Sequence, residues 1–487
     1  MTELEKYFLK YRKNIIGIDK KFVSPFGEKT IVYADWMASG RLYAPIEKIL
    51  TEEVGPMIGN THSEASETGM AMTGAYHEAR CIIKQHVNAG KSDVIIFCGY
   101  GMTAAINKLH RIMGLKAPEQ LQEYINFPKE KKPVVFLTHM EHHSNQTSWL
   151  ETICDVVVLE PNEKGLVDLN TLEENLRKYS GRRLKIGSFT AGSNVTGIQP
   201  DYHAMAKLMH RYGGLCFVDF AAAAPYVEIN MHPADEEEKL DAVFFSPHKF
   251  LGGPGSPGVL VFDSSLYNLK VPDQPGGGTV DWTNPWGGHK YIQDIETRED
   301  GGTPGFLQAI KAGFAAKLKD QIGVKNIEAR ERELLRIAFP ALKKNPSIHI
   351  LADEVEERFG VISFYVENLH YNLVVKLLND RFGIQVRGGC SCAGTYGHYL
   401  LHVDPTRSQR ITDKINQGDL SEKPGWVRLS LHPTMTNDEL EYVLQSIDEV
   451  IQYGEEYGRD YEYLPHQNEF AYTGKSPAKK YDWFNSL

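Results

Sequence analysis

LDAVFFSPHKFLGGPGSPGVLVF, residues 240–262, reads as two apolar runs joined by a Gly/Pro-rich loop: strand, loop, strand. Lys249 stands at the junction, in Ser246-Pro247-His248-Lys249. A lysine where apolar strands converge is partly desolvated, which disfavours the charged ammonium and equips the amine to form a Schiff base. A lone SPHK equally suits a solvated loop lysine, so its meaning rests on its neighbours.

Upstream the same kind of run recurs. DVIIFC, PVVFLT, VVVLEP, LKIGSFTA, GLCFVDF and DAVFFS alternate with the helical stretches TAAINKLHRIM, LNTLEENLRKY and YHAMAKLMHRY. This rhythm predicts an α/β fold with a mostly parallel sheet between helices and functional loops at the strand carboxyl ends. Before it, TIVYADWMASGRLYAP reads as a strand and loop, and GNTHSEASETG is a loop carrying His62. Near residue 305 the character shifts. A long periodic helix is expected from Phe306 to about Leu342, followed by the strands FGVISFYVENL, GIQVRGG and WVRLSLHP and the helix DELEYVLQSIDEVIQY of a smaller α+β domain. The expected organisation is an N-terminal segment over 1–45 that packs with the small domain, a large domain over 46–320, and a small domain with a C-terminal arm over 321–487.

The 487 residues, 42% of them hydrophobic, suffice for at least one large core. With 53 Lys and Arg against 63 Asp and Glu, the net charge is −10, and no basic stripe interleaves with aromatics. Nucleic acid and anionic membrane are therefore poor partners. The start, MTELEKYFLKYRKNIIGIDKK, predicts an amphipathic helix without the apolar core of a signal peptide, and no run approaches the ~18 apolar residues of a membrane span. Six cysteines, four of them (Cys81, Cys98, Cys154, Cys216) in or beside apolar or helical runs, fit a reducing cytoplasm better than a disulfide framework.

Several strand ends carry chemistry. DVIIFC runs into Gly99-Tyr100-Gly101-Met102-Thr103 and a helix, whose first N–H groups and the Thr103 hydroxyl form a cup for phosphate. GYGMTA also matches a dinucleotide fingerprint, but that site wants an acidic residue roughly 20 residues on, and the next strand ends in HMEHHSN about 35 residues on. His139, His142 and His143 lack HExxH spacing and a completing Cys/His pair, so no metal is assigned; an imidazole stacking on a flat ring and moving protons suits the position. Asn194, in SNVTG, can donate to a phenolate-type oxygen, although Asn there is also an ordinary turn residue. Asp219 ends CFVDF, where a carboxylate is costly unless paired; a pyridinium N–H is a suitable partner and keeps such a ring an electron sink. In RGGCSCAGTYGH, Cys390 and Cys392 form a CxC with Arg387 beside it to favour thiolate, and Arg428 in WVRLSLHP can grip a carboxylate bidentately.

Taken together, these residues resemble the class V aminotransferase family of pyridoxal-phosphate enzymes, and within it the cysteine desulfurase/selenocysteine lyase group, from about Tyr33 to Tyr453. The resemblance implies the pyridoxal-phosphate-dependent transferase fold, with a seven-stranded-type sheet, and pyridoxal 5'-phosphate as cofactor. It implies Lys249 as the Schiff-base lysine, His142 as the ring-stacking histidine, Asn194 as ligand of the phenolic oxygen and Asp219 as partner of the ring nitrogen. Met102, Thr103, Ser246 and His248 would bind the phosphate, and Thr303 in GGTP would do so across a homodimer interface. Cys392 occupies the position of the persulfide-forming cysteine and Arg428 that of the arginine for the substrate carboxylate, with Arg387 a second substrate-binding candidate. The implied function is cysteine desulfuration: L-cysteine to L-alanine, with sulfur passed to Cys392 and onward to an acceptor protein. Transamination, racemisation or C–S or C–C lyase chemistry would need Lys249 and Asp219 but not Cys392. Three features depart from the family's usual pattern: VDFAA places Ala222 where glutamine is common, RGGCSCA replaces RTGHHCA and adds Cys390, and an insertion lies between Cys392 and Arg428.

Overall fold

The computed structural model describes residues 1–61, 64–125, 127–475, 481 and 483–485; His62 and parts of the C-terminal arm lie outside the described residues. The chain forms two compact units, 37–329 with 357–359, and 1–36 with 330–356 and 360–487. These divisions fall at 36/37 and 329/330, against 45/46 and 320/321 expected from sequence. At the first, Asp35 bridges to Ser430 of the smaller unit's sheet, whereas Gly40 N–H donates to the His248 carbonyl of the larger unit at 2.9 Å.

The larger unit is built on seven strands: β1 (Asp93–Cys98), β2 (Val134–Thr138), β3 (Asp155–Leu159), β4 (Lys185–Thr190), β5 (Leu215–Asp219), β6 (Ala242–Phe245) and β7 (Gly258–Asp263). Their order across the sheet is β1-β7-β6-β5-β4-β2-β3. β2 to β6 pair in parallel, while β7 runs antiparallel between β1 and β6. The twelve residues between β6 and β7 hold only the short helical turn Pro247–Lys249, not the crossover helix by which a chain usually returns in parallel. All of these strands but β3 are buried at every position or at all but one, as their unbroken apolar runs require of a sheet covered on both faces. One face packs Ile96, Val135, Leu137, Phe217, Phe244 and Phe262 around the buried Trp149. Two helices leave the strand ends that matter here, α1 (Gly101–Ile112) after β1 and α2 (His143–Leu150) after β2.

The long helix expected from Phe306 is two helices, Phe306–Ile322 and Val324–Lys343, broken at Gly323. Gly323 takes φ +84°, a left-handed conformation that ends the first helix without the penalty a Cβ would bring.

The smaller unit holds an antiparallel sheet of β8 (Ile348–Ile350), β9 (Val361–Val366), β10 (Arg387–Gly389) and β11 (Trp426–Ser430), in the order β8-β9-β11-β10. Ile362, Phe364, Val427 and Leu429 pack on Leu440, Val443 and Ile447 of the helix Asn437–Gly458. The N-terminal segment belongs to this unit. Its helix Glu3–Arg12 is pinned by Arg12 donating to both Glu439 oxygens at 2.6 and 3.1 Å, and Val32–Tyr33 pairs in parallel with Ile384–Gln385. The insertion folds as two helices, Gly394–Leu400 and Pro405–Asn416, joined by a 2.8 Å bond between His398 Nε2 and Ser408 Oγ. No helix of the described residues is long and apolar enough to cross a membrane.

Candidate active site

The carboxyl ends of the parallel strands bring one group of side chains together in the larger unit. At the end of β1 the chain turns through Gly101 at φ +62° into α1. A Cβ at Gly101 would lie 2.7 Å from Ser246 Oγ and 3.7 Å from His248 Nε2, so only glycine allows the helix start to close on the loop that follows β6. Met102 N–H donates to Ser246 Oγ at 2.8 Å, which leaves that hydroxyl its own proton to donate. Thr103 is exposed on the first turn of α1, with Oγ1 2.7 Å from Ser144 Oγ on α2. His142 caps α2, its Nδ1 accepting from Ser144 N–H at 3.1 Å. Met102, Thr103, His142, Ser246 and His248 thus gather around two adjacent helix starts, where partial positive charge favours an anion.

Asp219 ends β5 and is almost fully buried. Burial pushes its carboxyl up to about 6, against the Ala221 N–H that donates to Oδ1 at 2.8 Å and the nearby Lys249 ammonium. Lys249 follows β6, the neighbouring strand, in a short turn whose backbone is held by Ser39 and Gly40, which donate to the His248 carbonyl. His248 is driven down to about 4 by burial and then by the Lys249 charge, so its imidazole is neutral near pH 7. Asn194 is buried in the loop after β4, where Ser193 Oγ accepts from Val195 and Thr196 N–H at 3.0 and 3.2 Å.

The donor set fits pyridoxal phosphate. The group needs an amine for its aldehyde, an acceptor for its ring N–H, a flat neighbour for its ring and an anion site for its phosphate. Lys249, Asp219, His142 and the Gly101–Ser246 cradle supply these types at the carboxyl edge of one sheet, and among the described residues no cation hydrogen-bonds to the buried Asp219, which accepts from Ala221 N–H. Thr303 stands apart from this group: it is exposed and donates to Asn60 Oδ1 at 3.3 Å. His139, also singled out in HMEHHSN, is buried away from solvent and pairs through Nε2 with the Gly165 carbonyl at 3.0 Å. Among the described residues, no three His, Cys, Asp or Glu side chains could hold a metal ion.

Two residues of this region escaped the sequence reading. Glu141, between the histidines of HMEHHSN, is fully buried; Oε1 accepts from Thr138 N–H, Thr138 Oγ1 and Thr190 N–H, and Oε2 from Asn145 Nδ2 at 2.7 Å. Burial pushes it up to about 8 despite these bonds, and Asp219 adds to the rise. Ser39, in MASGR, carried no signal beyond its loop composition.

The smaller unit gathers a second group. Cys392 is exposed and Cys390 half-buried. Arg428 on β11 and Arg387 on β10 are paired in register, and both reach one carboxylate: Arg428 NH2 donates to Asp35 Oδ1 at 2.7 Å and Arg387 Nε to Oδ2 at 3.1 Å. Arg428 is buried, whereas about half of the Arg387 side chain is exposed. Asp35 is the third missed residue. Its signal was available, since Asp35 follows the apolar run IVYA much as Asp219 ends CFV.

The Aminotransferase class-V family model matches residues 32–443. A probable cysteine desulfurase of Halalkalibacterium halodurans is 27% identical over 367 residues, covering 74% of this chain and 84% of that protein. Another from Mycobacterium leprae is 30% identical over 339 residues, 69% of this chain and 51% of that protein. Among solved structures, the apo cysteine desulfurase of Thermococcus onnurineus NA1 is similar with a TM-score of 0.73 at 22% identity, covering 91% of this chain and 98% of that one. CsdA of Escherichia coli follows with a TM-score of 0.69 at 23% identity and the same coverage.

Proposed function

The chain belongs to the class V aminotransferase family, and from that premise we propose that it is a pyridoxal-phosphate-dependent cysteine desulfurase, which converts L-cysteine to L-alanine and leaves the sulfur as a persulfide on Cys392. The exposed Cys392 thiol carries this reading: it stands in a chain that also holds the family's lysine and aspartate at neighbouring strand ends, and relatives named probable cysteine desulfurases match over most of their length.

When bound, pyridoxal phosphate supplies a sink for the electrons released at the substrate α-carbon. Lys249 holds the cofactor, then takes the α-proton on Nζ and returns it. Asp219 as carboxylate would hold the proton on the ring nitrogen, and His142 would stack on the ring and assist proton movement. Ser246, His248, Met102 and Thr103 would hold the phosphate, and Asn194 would donate to the phenolic oxygen. With Ala222 where a glutamine is common, Asn194 carries more of that contact. Arg428 grips the substrate carboxylate in competition with Asp35, and Arg387 assists. The Cys392 thiolate attacks the substrate sulfur; the Sγ–Sγ bond forms, the substrate Cβ–Sγ bond breaks, and Cβ gains a proton to become the alanine methyl group. The persulfide then passes to an acceptor protein. A homodimer, in which Thr303 reaches the phosphate of the partner copy, agrees with that residue's exposed position. All six cysteines are free, which agrees with a cytoplasmic home.

The test is the reaction with L-cysteine under thiol. Wild type should form alanine and sulfide in equal amounts; Lys249→Ala should lose the visible absorbance of a lysine-bound pyridoxal, and Cys392→Ala should keep that absorbance yet form neither product. Turnover undiminished in Cys392→Ala would move the enzyme to another class V reaction.

A further inference from the structure

Cys390 has no part in the reaction just described, yet the fold ties it closely to Cys392. Ala393 N–H donates to the Cys390 carbonyl at 3.0 Å, closing a four-residue turn. Its two central residues, Ser391 and Cys392, are both left-handed, at φ +51° and +56°. A hydrogen-bonded turn with positive φ at both centres is type I′, a conformation normally taken by Asn and Gly because a Cβ is strained there. Non-glycine residues held so are kept by their surroundings, and such strain gathers at functional sites.

The turn fixes Cys390 at its first position and Cys392 at its third. Two residues of extended chain span at most about 7 Å, and folding into a turn draws the two Cα atoms into the range of about 4.4–6.8 Å that a direct disulfide needs. Both cysteines line one cavity of about 640 Å³ in the smaller unit, together with Arg387, Lys376 and Lys423. Of the other thiols, Cys98, Cys154 and Cys216 are buried, and burial raises all three, while Cys81 is exposed on the helix Glu67–His86, outside this cavity.

We propose that Cys390 is a second catalytic thiol, which resolves the persulfide formed on Cys392; this rests on the desulfurase reading. The Cys390 thiolate attacks Cys392 Sγ. A bond forms between the two Sγ atoms and the bond from Cys392 Sγ to the outer sulfur breaks. The outer sulfur leaves with the electron pair and takes a proton as hydrosulfide. It is thereby reduced while the two cysteines are oxidised to a disulfide, so no outside oxidant enters. A low-molecular-weight thiol, two equivalents per chain, reopens the disulfide for the next turnover. Where no acceptor protein takes the persulfide first, the enzyme therefore releases hydrosulfide itself and stalls when thiol runs out.

The experiment uses the holoenzyme without air or reductant, mixed with an equimolar amount of L-cysteine, alkylated and read by peptide mass spectrometry. Wild type should yield alanine and hydrosulfide equimolar with protein, and a peptide spanning 390–392 that is unalkylated and lighter by two hydrogens. Cys390→Ser should yield alanine but no hydrosulfide, with the extra sulfur retained and alkylated on Cys392. A stable Cys392 persulfide in wild type, or the extra sulfur on Cys390, overturns the proposal. Inorganic polysulfide tests the pair independently of turnover by placing the outer sulfur on Cys392 directly. Disulfide and hydrosulfide in wild type alone support the proposal even if L-cysteine yields no alanine, an outcome that would count against the desulfurase reading; a stable persulfide in both proteins overturns the proposal.

Discussion

Asp219 shows how much one residue's environment sets its chemistry. Burial raises its carboxyl to about 6 from an ordinary 3.8, so folding favours the protonated form. Its contribution to stability is fully present below the unfolded value and is lost as pH rises through about 6, a loss of about 3 kcal/mol for a shift of this size. The cofactor-free chain should therefore lose thermal stability between about pH 4 and 7, and Asp219→Asn should flatten that part of the Tm profile; an unchanged profile in the variant would reject the assignment. Pyridoxal phosphate binding needs the carboxylate and should weaken as pH falls below about 6 in wild type, but not with that slope in Asp219→Asn. Arg428 gives a second prediction. Lysine cannot make the bidentate fork, so Arg428→Lys should raise KM for L-cysteine by about 10–100-fold with a smaller change in kcat. Removing the carboxylate opposite Arg428, in Asp35→Ala, should cost about 3 kcal/mol in urea unfolding, since a buried guanidinium loses its counter-charge.

At the scale of elements, the site depends on how closely helix starts approach neighbouring strand ends. Gly101 is one such point, with Ser246 Oγ 2.7 Å from where a Cβ would stand and φ at +62°. Gly101→Ala should leave the seven-stranded sheet intact by circular dichroism and lower pyridoxal phosphate affinity by at least about tenfold, through strain and displacement of Ser246. Unchanged cofactor affinity in this variant would argue against a phosphate at the start of α1. The periodicity of the sequence placed the strands and helices well because parallel buried strands read as unbroken apolar runs. It failed at Gly323, since one glycine within an otherwise helical period does not disclose its sign of φ until the flanking helices are packed. It also passed over Glu141, whose four hydrogen bonds come from β2, β4 and α2 and have no local signature.

At the scale of the whole molecule, the open question is the partner copy. If Thr303 serves the phosphate of a second subunit, Thr303→Ala should weaken cofactor retention, and mixing it with Lys249→Ala chains should restore it. Each mixed dimer then holds one site with both defects and one intact site, whereas a contact within one chain leaves every site defective. Sedimentation of wild type should show twice the 54.9 kDa chain mass. The sequence by itself determined the α/β class, the order of strands and helices, the lysine, aspartate and histidine at strand ends and the CxC pair, because each is written in local periodicity or adjacent residues. Only the tertiary structure decided that Asp35 stands between Arg387 and Arg428, that Ser39 and Gly40 hold the lysine loop, and that Cys390 and Cys392 share a left-handed turn. The first two join residues hundreds of positions apart. The third depends on the sign of a dihedral angle, which Cys-Ser-Cys does not reveal and its folded surroundings impose.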